Sequence, residues 1–189
     1  MIEDIENSII DSANTIMQST SLSEKISDSI EVIINCLKNG NKVVLFGNGG
    51  SAADAQHIAA ELIGRFKLER SSYPAISLTT DSSVLTSLSN DYSYDVVFSR
   101  QCESLVSSGD VVFGISTSGN SKNVELGLKI SKQKGATTIG LLGGNGGSIK
   151  DIVDVAIVVN STDTAKIQEV HRVVSHIMCD VVEQKLSEE

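Results

Sequence analysis

The chain has 189 residues, 40% of them apolar and 21% charged, with a net charge of -9. That length suits one globular domain with a sizeable core, and the acidic balance argues against nucleic acid as a partner, because phosphate backbones attract basic faces. No apolar run is long enough to cross a bilayer, and the acidic start Met1-Ile2-Glu3-Asp4 is followed by no apolar signal segment, which reads as a cytoplasmic protein without a membrane partner.

Residues 3–39 contain no Gly or Pro and carry Ile26, Ile30, Ile33, Ile34 and Leu37 at helical spacing. One or two helices are predicted there, closed by Gly40 as a C-cap. From residue 40 the rhythm changes. Short β-branched runs predict strands at 42–46, 75–78, 111–115, 137–142 and 155–159, each continuous enough to be covered on both faces. Helical patterns fall at about 51–66, 82–89, 95–107, 121–134 and 147–152, and a last long helix at about 163–186. The alternation predicts an α/β fold, a doubly wound, mainly parallel five-stranded sheet flanked by helices. No linker or repeat interrupts it. Residues 1–189 therefore read as one domain, with 1–39 an N-terminal helical extension and 40–189 the α/β core. Cys36, Cys102 and Cys179 are scattered without CxxC spacing and read as small buried hydrophobes in a reducing compartment.

Two predicted strands run directly into Gly/Ser-rich turns. The first turn is Gly47-Asn48-Gly49-Gly50-Ser51, and the second is Ser116-Thr117-Ser118-Gly119-Asn120-Ser121. Each precedes a helix, so backbone N–H groups and the helix dipole converge on an anion site. Neither is a P-loop or a GxGxxG turn. Tight turns need glycine in any case, but that need does not account for the hydroxyls of Ser116, Thr117, Ser118 and Ser121, which could converge on one phosphate. A third segment, Gly143-Gly144-Asn145-Gly146-Gly147-Ser148, reads as a tight turn with no ligand role.

The helix at 51–66 carries Ser51, Asp54, His57, Glu61 and Arg65 at near-helical intervals. His57 and Glu61, four apart, share one face. They fit either a surface ion pair or a ligand-facing pair, since this helix begins where open α/β sheets bind ligands. The last helix adds Gln168 and His176, two turns apart on one face, with His171 near it. A carboxylate and an imidazole are what an aldose–ketose isomerase needs: one removes a proton alpha to a carbonyl, the other handles protons on the adjacent oxygens of an enediol. His, Glu and Gln side chains could also hold a divalent metal. Glutamine is an unusual zinc ligand, so the residues alone leave metal binding open.

The segments Gly47–His57, Ala60-Glu61-Leu62, Asn90-Asp91, Ile115–Ser121 and Ile167-Gln168-Glu169 to His176 together resemble the phosphoheptose isomerases of the SIS (sugar isomerase) domain family, from about residue 40 to the C-terminus. The resemblance implies isomerisation of sedoheptulose 7-phosphate to D-glycero-D-manno-heptose 7-phosphate, toward nucleotide-activated heptose for bacterial surface polysaccharide. It implies that Ser116, Thr117, Ser118 and Ser121 hold the phosphate. Asn48, Gly49, Gly50, Ser51, Asn90, Asp91 and Gln168, with Glu61, line the sugar site. Glu61 is the implied base and His176 its partner acid, and His57, Glu61, Gln168 and His176 are the implied zinc set, one ion per subunit. The family also implies a homotetramer with active sites between subunits, which would bring the two functional helices together across an interface.

One departure is visible. Some members carry an acid three positions before the glutamine, where this chain has Ala165; any part that acid plays is absent here or falls to another group. Two alternatives stand beside the isomerase. SIS relatives that only bind, including one that associates with the bacterial replication initiator, lose the Glu and final His that this chain keeps as Glu61 and His176. An isomerase of another sugar phosphate would use the same loops, which grip phosphate and do not count carbons.

Overall fold

The computed structural model describes residues 1–187; the last two residues of the 1–189 span lie outside it. Two helices come first, α1 (Ile2–Gln18) and α2 (Ser23–Lys38), joined by a 3-10 turn over Ser19–Leu22. There follow β1 (Val43–Gly47), α3 (Gly50–Ile63), β2 (Ala75–Ser77), α4 (Ser82–Asp91) and, after a 3-10 turn over Tyr94–Val96, α5 (Val97–Leu105). The chain continues through β3 (Val111–Ser116), α6 (Lys122–Gln133), β4 (Thr137–Gly143), β5 (Val155–Val159) and α7 (Thr164–Ser187). The strands form one parallel sheet in the order β2-β1-β3-β4-β5.

Successive strand residues point to opposite faces, and both faces are covered. Val43, Leu45, Val111, Phe113 and Ile115 pack against Ile33 of α2, Ile58 of α3 and Val174 of α7. Val44, Phe46 and Val112 pack against Phe98 of α5 and Val124 and Leu128 of α6. This double coverage is why the strands read as unbroken apolar runs. The N-terminal helices differ from one another: α2 supplies Ile26, Ile30, Ile33 and Cys36 to the main core, whereas α1 buries no residue. All three cysteines are free and buried, as the sequence suggests. Burial pushes the Cys36 and Cys102 thiols up to about 11 and that of Cys179 up to about 12, so they are unreactive at neutral pH.

Two expectations are corrected. Residues 147–152 form turns and not a helix. Gly146 and Gly147 take φ of +90° and +53°, and a Cβ at Gly119 would run into the Gly146 carbonyl. The third glycine segment therefore packs backbone to backbone against the second, with the Ile149 N–H donating to the Gly119 carbonyl at 3.0 Å. The helix predicted at 51–66 ends at Ile63, so Arg65 lies beyond it, beside Glu69 at 3.6 Å. The stop is enforced by Arg70, whose guanidinium donates to the carbonyls of Glu61 (2.8 Å), Leu62 (2.9 Å) and Gly64 (3.2 Å) and so satisfies the end of the helix.

From β1 the chain crosses outward to β2, and from β3 it proceeds the other way to β4 and β5. The carboxyl ends of β1 and β3 are thus the switch point of the sheet, where ligands of this architecture bind.

Candidate active site

Both Gly/Ser turns lie at that switch point, since Gly47 at the end of β1 pairs with Ile115 near the end of β3. Gly49, at φ +57°, is the N-cap of α3, a conformation that disfavours any residue with a side chain. Ser51 is buried, and its N–H donates to the Asn48 carbonyl at 3.0 Å. In the second turn the Ser116 and Ser121 hydroxyls lie 2.9 Å apart, and Ser121 is the N-cap of α6. Thr117 is half-buried and Ser118 exposed beside them, with the Ser118 Oγ accepting from the Asn120 N–H at 3.2 Å. The third segment buttresses this turn from outside, where the Ser148 N–H donates to Asn120 Oδ1 at 3.0 Å.

Next to the turns, α3 and α7 lie side by side with matched positions. At the start of α3 the missing side chain of Gly50 makes room for the Gln168 amide, which a Cβ would strike. One turn on, Arg172 reaches buried Asp54 at 2.6 Å. Another turn brings His57 Nε2 to within 2.9 Å of His176 Nε2 and 3.4 Å of Glu61 Oε1. The Phe66 ring closes over His176 at 5.6 Å between centroids. This pairing is made within one chain, which corrects the expectation that the two helices meet across a subunit interface: α3 and α7 pack on the same face of the same sheet and share its core. His171 turns the other way. It is fully buried with Nε2 3.1 Å from the Leu142 carbonyl, and burial drives its pKa down to about 4, so it is a neutral core histidine.

Burial, and then the nearby Arg172, lower the His57 pKa against the pull of Glu61, so His57 is held neutral. Burial also pushes the Asp54 carboxyl up, against the pull of Arg172. Among the described residues no three His, Cys, Asp or Glu side chains form a ready cage for a metal. The chemistry of the donors nevertheless fits zinc. Two imidazole nitrogens 2.9 Å apart, one of them on a ring held neutral, would need only a few tenths of an ångström of opening to reach the roughly 3.3 Å edge of a tetrahedral site. Glu61 flanks them as an oxygen donor at 3.4 Å from His57 Nε2, while Gln168 stands two turns away on α7, against Gly50.

The sequence-predicted residues fall into two groups that the structure joins, and a third that it leaves at the rim. Asn90 and Asp91 end α4, exposed, with Asn90 Nδ2 donating to Asp91 Oδ1 at 2.8 Å. Their segment is linked to the site by Tyr94, whose hydroxyl donates to Asn48 Oδ1 at 3.0 Å. Sequence reasoning missed Tyr94, Asn123, Phe66 and the Arg70–Glu183 pair. One signal was available: Glu183 follows His176 by seven residues, two turns along the same face of one helix.

A hydroxyl-rich turn at a helix N-terminus and a helix pair carrying a carboxylate and two imidazoles, at the switch point of a doubly wound sheet, match a phosphosugar isomerase of the SIS class. The SIS domain family model matches residues 9–143. The chain is 54% identical to the phosphoheptose isomerase of Geobacter sulfurreducens over 165 residues, 87% of each chain. It is 52% identical to that of Geotalea daltonii over 188 residues, 98% of this chain and 97% of the relative. The phosphoheptose isomerase structure from Neisseria gonorrhoeae superposes with a TM-score of 0.92 at 40% identity, covering 96% of this chain and 98% of that one. The chain belongs to the phosphoheptose isomerases of the SIS domain family.

Proposed function

We propose that the protein converts D-sedoheptulose 7-phosphate into D-glycero-D-manno-heptose 7-phosphate in the cytoplasm, the first step toward nucleotide-activated heptose for a bacterial surface polysaccharide. One observation carries this reading: the His57–Glu61–His176 cluster, with Nε2–Nε2 2.9 Å and Nε2–Oε1 3.4 Å, stands on helices that begin at the phosphate-binding end of the same sheet.

In this reading the second turn grips the 7-phosphate through Ser116, Thr117, Ser118 and Ser121 and the N-terminus of α6. The sugar chain extends past Asn48, Gly49, Gly50 and Ser51 toward Gln168. Glu61 removes the C1 proton of the ketose, the electron pair forms the C1–C2 double bond, and His176 protonates the oxygen at C2. The His176 ring then takes back a proton from the C1 hydroxyl as C1 becomes the carbonyl, and Glu61 returns its proton to C2. Zinc, one ion per subunit on His57, Glu61, Gln168 and His176, would supply polarisation of the two substrate oxygens.

The family also supports a homotetramer. Ile2, Ile5, Ile9 and Met17 of α1 are each more than half exposed, an apolar grouping of the kind that marks interaction surfaces. Incubating the protein with sedoheptulose 7-phosphate, with zinc and after chelation, tests the reading by NMR. Aldose signals that depend on the protein are the expected result, reduced by chelation and restored by zinc. Absence of conversion by a folded protein that still binds the sugar phosphate would move the assignment to another phosphosugar, and conversion indifferent to chelation would remove the metal.

A further inference from the structure

We infer that Tyr94 and Asn123 are positioning residues that fix the Asn48 amide as a pure hydrogen-bond donor toward the sugar. The inference rests on the proposed reading only in placing Asn48 against the substrate. Its starting point is a backbone N–H, a group that can only donate. Val124 N–H, in the first turn of α6, meets Asn123 Oδ1 at 2.9 Å. That contact sets which end of the Asn123 amide is oxygen. Asn123 is buried, and its Nδ2 must then donate to Asn48 Oδ1, at 2.9 Å, while Asn48 Nδ2 donates back to Asn123 Oδ1 at 2.8 Å. With both amides reversed, the Val124 N–H would face an NH2 group, so the arrangement has one sense.

Tyr94 completes it. Its hydroxyl is 3.0 Å from Asn48 Oδ1, and a second donor there fills the two lone pairs of that oxygen. Asn48 is left with one free group, the Nδ2–H anti to its carbonyl. A site lined this way presents a donor and no acceptor at position 48, and so selects an oxygen with a free lone pair on the open-chain sugar phosphate. The same bonds tie the first turn, through Asn48, to the start of α6, through Asn123, and to the segment that follows Asn90 and Asp91, through Tyr94. Neither Tyr94 nor Asn123 touches the substrate in this scheme; each acts through Asn48.

Tyr94→Phe is the test, because Tyr94 is about half exposed (53%) and loses only a hydroxyl. Released from Tyr94, the Asn48 amide tilts. KM for the sugar phosphate is expected to rise about fivefold, the effect of one neutral hydrogen bond, while kcat stays within twofold and inhibition by inorganic phosphate is unchanged. Asn48→Ala is expected to raise KM further, and adding Tyr94→Phe to it to change nothing more. A KM unaffected by Tyr94→Phe, a parallel loss of phosphate inhibition, or additive effects in the double variant would each overturn the positioning role. If Asn48→Ala itself leaves KM unchanged, the placement of Asn48 against the sugar fails, and with it the reading on which the inference rests.

Discussion

Glu61 lies one turn beyond His57 on the face of α3 turned toward α7, and 3.4 Å separates its Oε1 from His57 Nε2. Nothing in that distance alone distinguishes an ion pair from a proton-transfer group. A second imidazole, His176, is delivered by a different helix to the same point, which supports the proposed proton-transfer role. Glu61→Gln keeps the shape and removes the proposed base. Turnover is expected to fall by at least about a hundredfold, while sugar-phosphate binding by calorimetry stays within a few-fold; activity near that of the parent protein would show that another group takes the C1 proton. Gly50 acts by what it lacks. A Cβ there would strike the Gln168 amide, so Gly50→Ala is expected to lower kcat with little change in melting temperature, and a fully active variant would show that Gln168 moves aside without cost.

Helices α3 and α7 hold these side chains in place through contacts away from the chemistry. Glu183, buried near the end of α7, accepts from the backbone N–H groups of Phe66 (2.9 Å), Lys67 (2.6 Å) and Leu68 (2.8 Å) and from Arg70 Nε (3.0 Å). Burial alone would raise its carboxyl; these donors outweigh it and hold the group below the usual range. Arg70 in turn caps the end of α3, so a single buried ion pair seats Phe66 over His176 and fixes where Glu61's helix stops. Glu183→Ala leaves the guanidinium uncompensated and is expected to lower stability by about 3–5 kcal/mol in urea unfolding; a loss below about 1 kcal/mol would mean that water replaces the carboxylate. His171 gives α7 a pH response. Burial takes its pKa from the ordinary 6.5 down to about 4, so the fold holds the neutral ring and unfolding lets it charge. Its contribution is complete above pH 6.5 and is lost as pH falls toward 4, a total of about 3 kcal/mol. His171→Gln keeps a donor for the Leu142 carbonyl but cannot titrate, and its stability curve is expected to be flatter over that window; parallel curves for variant and parent would assign the acid sensitivity elsewhere.

At the scale of the molecule, α1 is the element out of balance. It buries none of its residues, yet Ile2 is 70% and Ile9 64% exposed. If this face is covered by other copies, Ile5→Glu with Ile9→Glu is expected to shift sedimentation from tetramer toward smaller species without changing the far-ultraviolet spectrum. A tetramer that survives both charges would place the interface elsewhere.

The sequence by itself determined the alternation of strand and helix, because runs buried on both faces must be continuously apolar. It also determined where the two candidate anion turns fall, because φ +57° with ψ -120° at position 49 suits only glycine and the hydroxyls cluster at 116–121. The tertiary structure decided the rest. Residues 147–152 carry a helical pattern, yet Gly146 and Gly147 must lie flat against Gly119, a contact that no local spacing reveals. The stop of α3 at Ile63 comes from Arg70 reaching back to its carbonyls. His171 and His176, five residues apart on one helix, were separated in the sequence only by register with Gln168 and by the family resemblance; packing buries the first and turns the second toward His57. The sense of the Asn48 amide depends on a backbone N–H at position 124. Local propensity reports conformation over a few residues, whereas partners 75 or 119 positions apart, as in Asn48–Asn123 and His57–His176, meet only because the order of strands brings their carrier elements together around the carboxyl ends of the central strands.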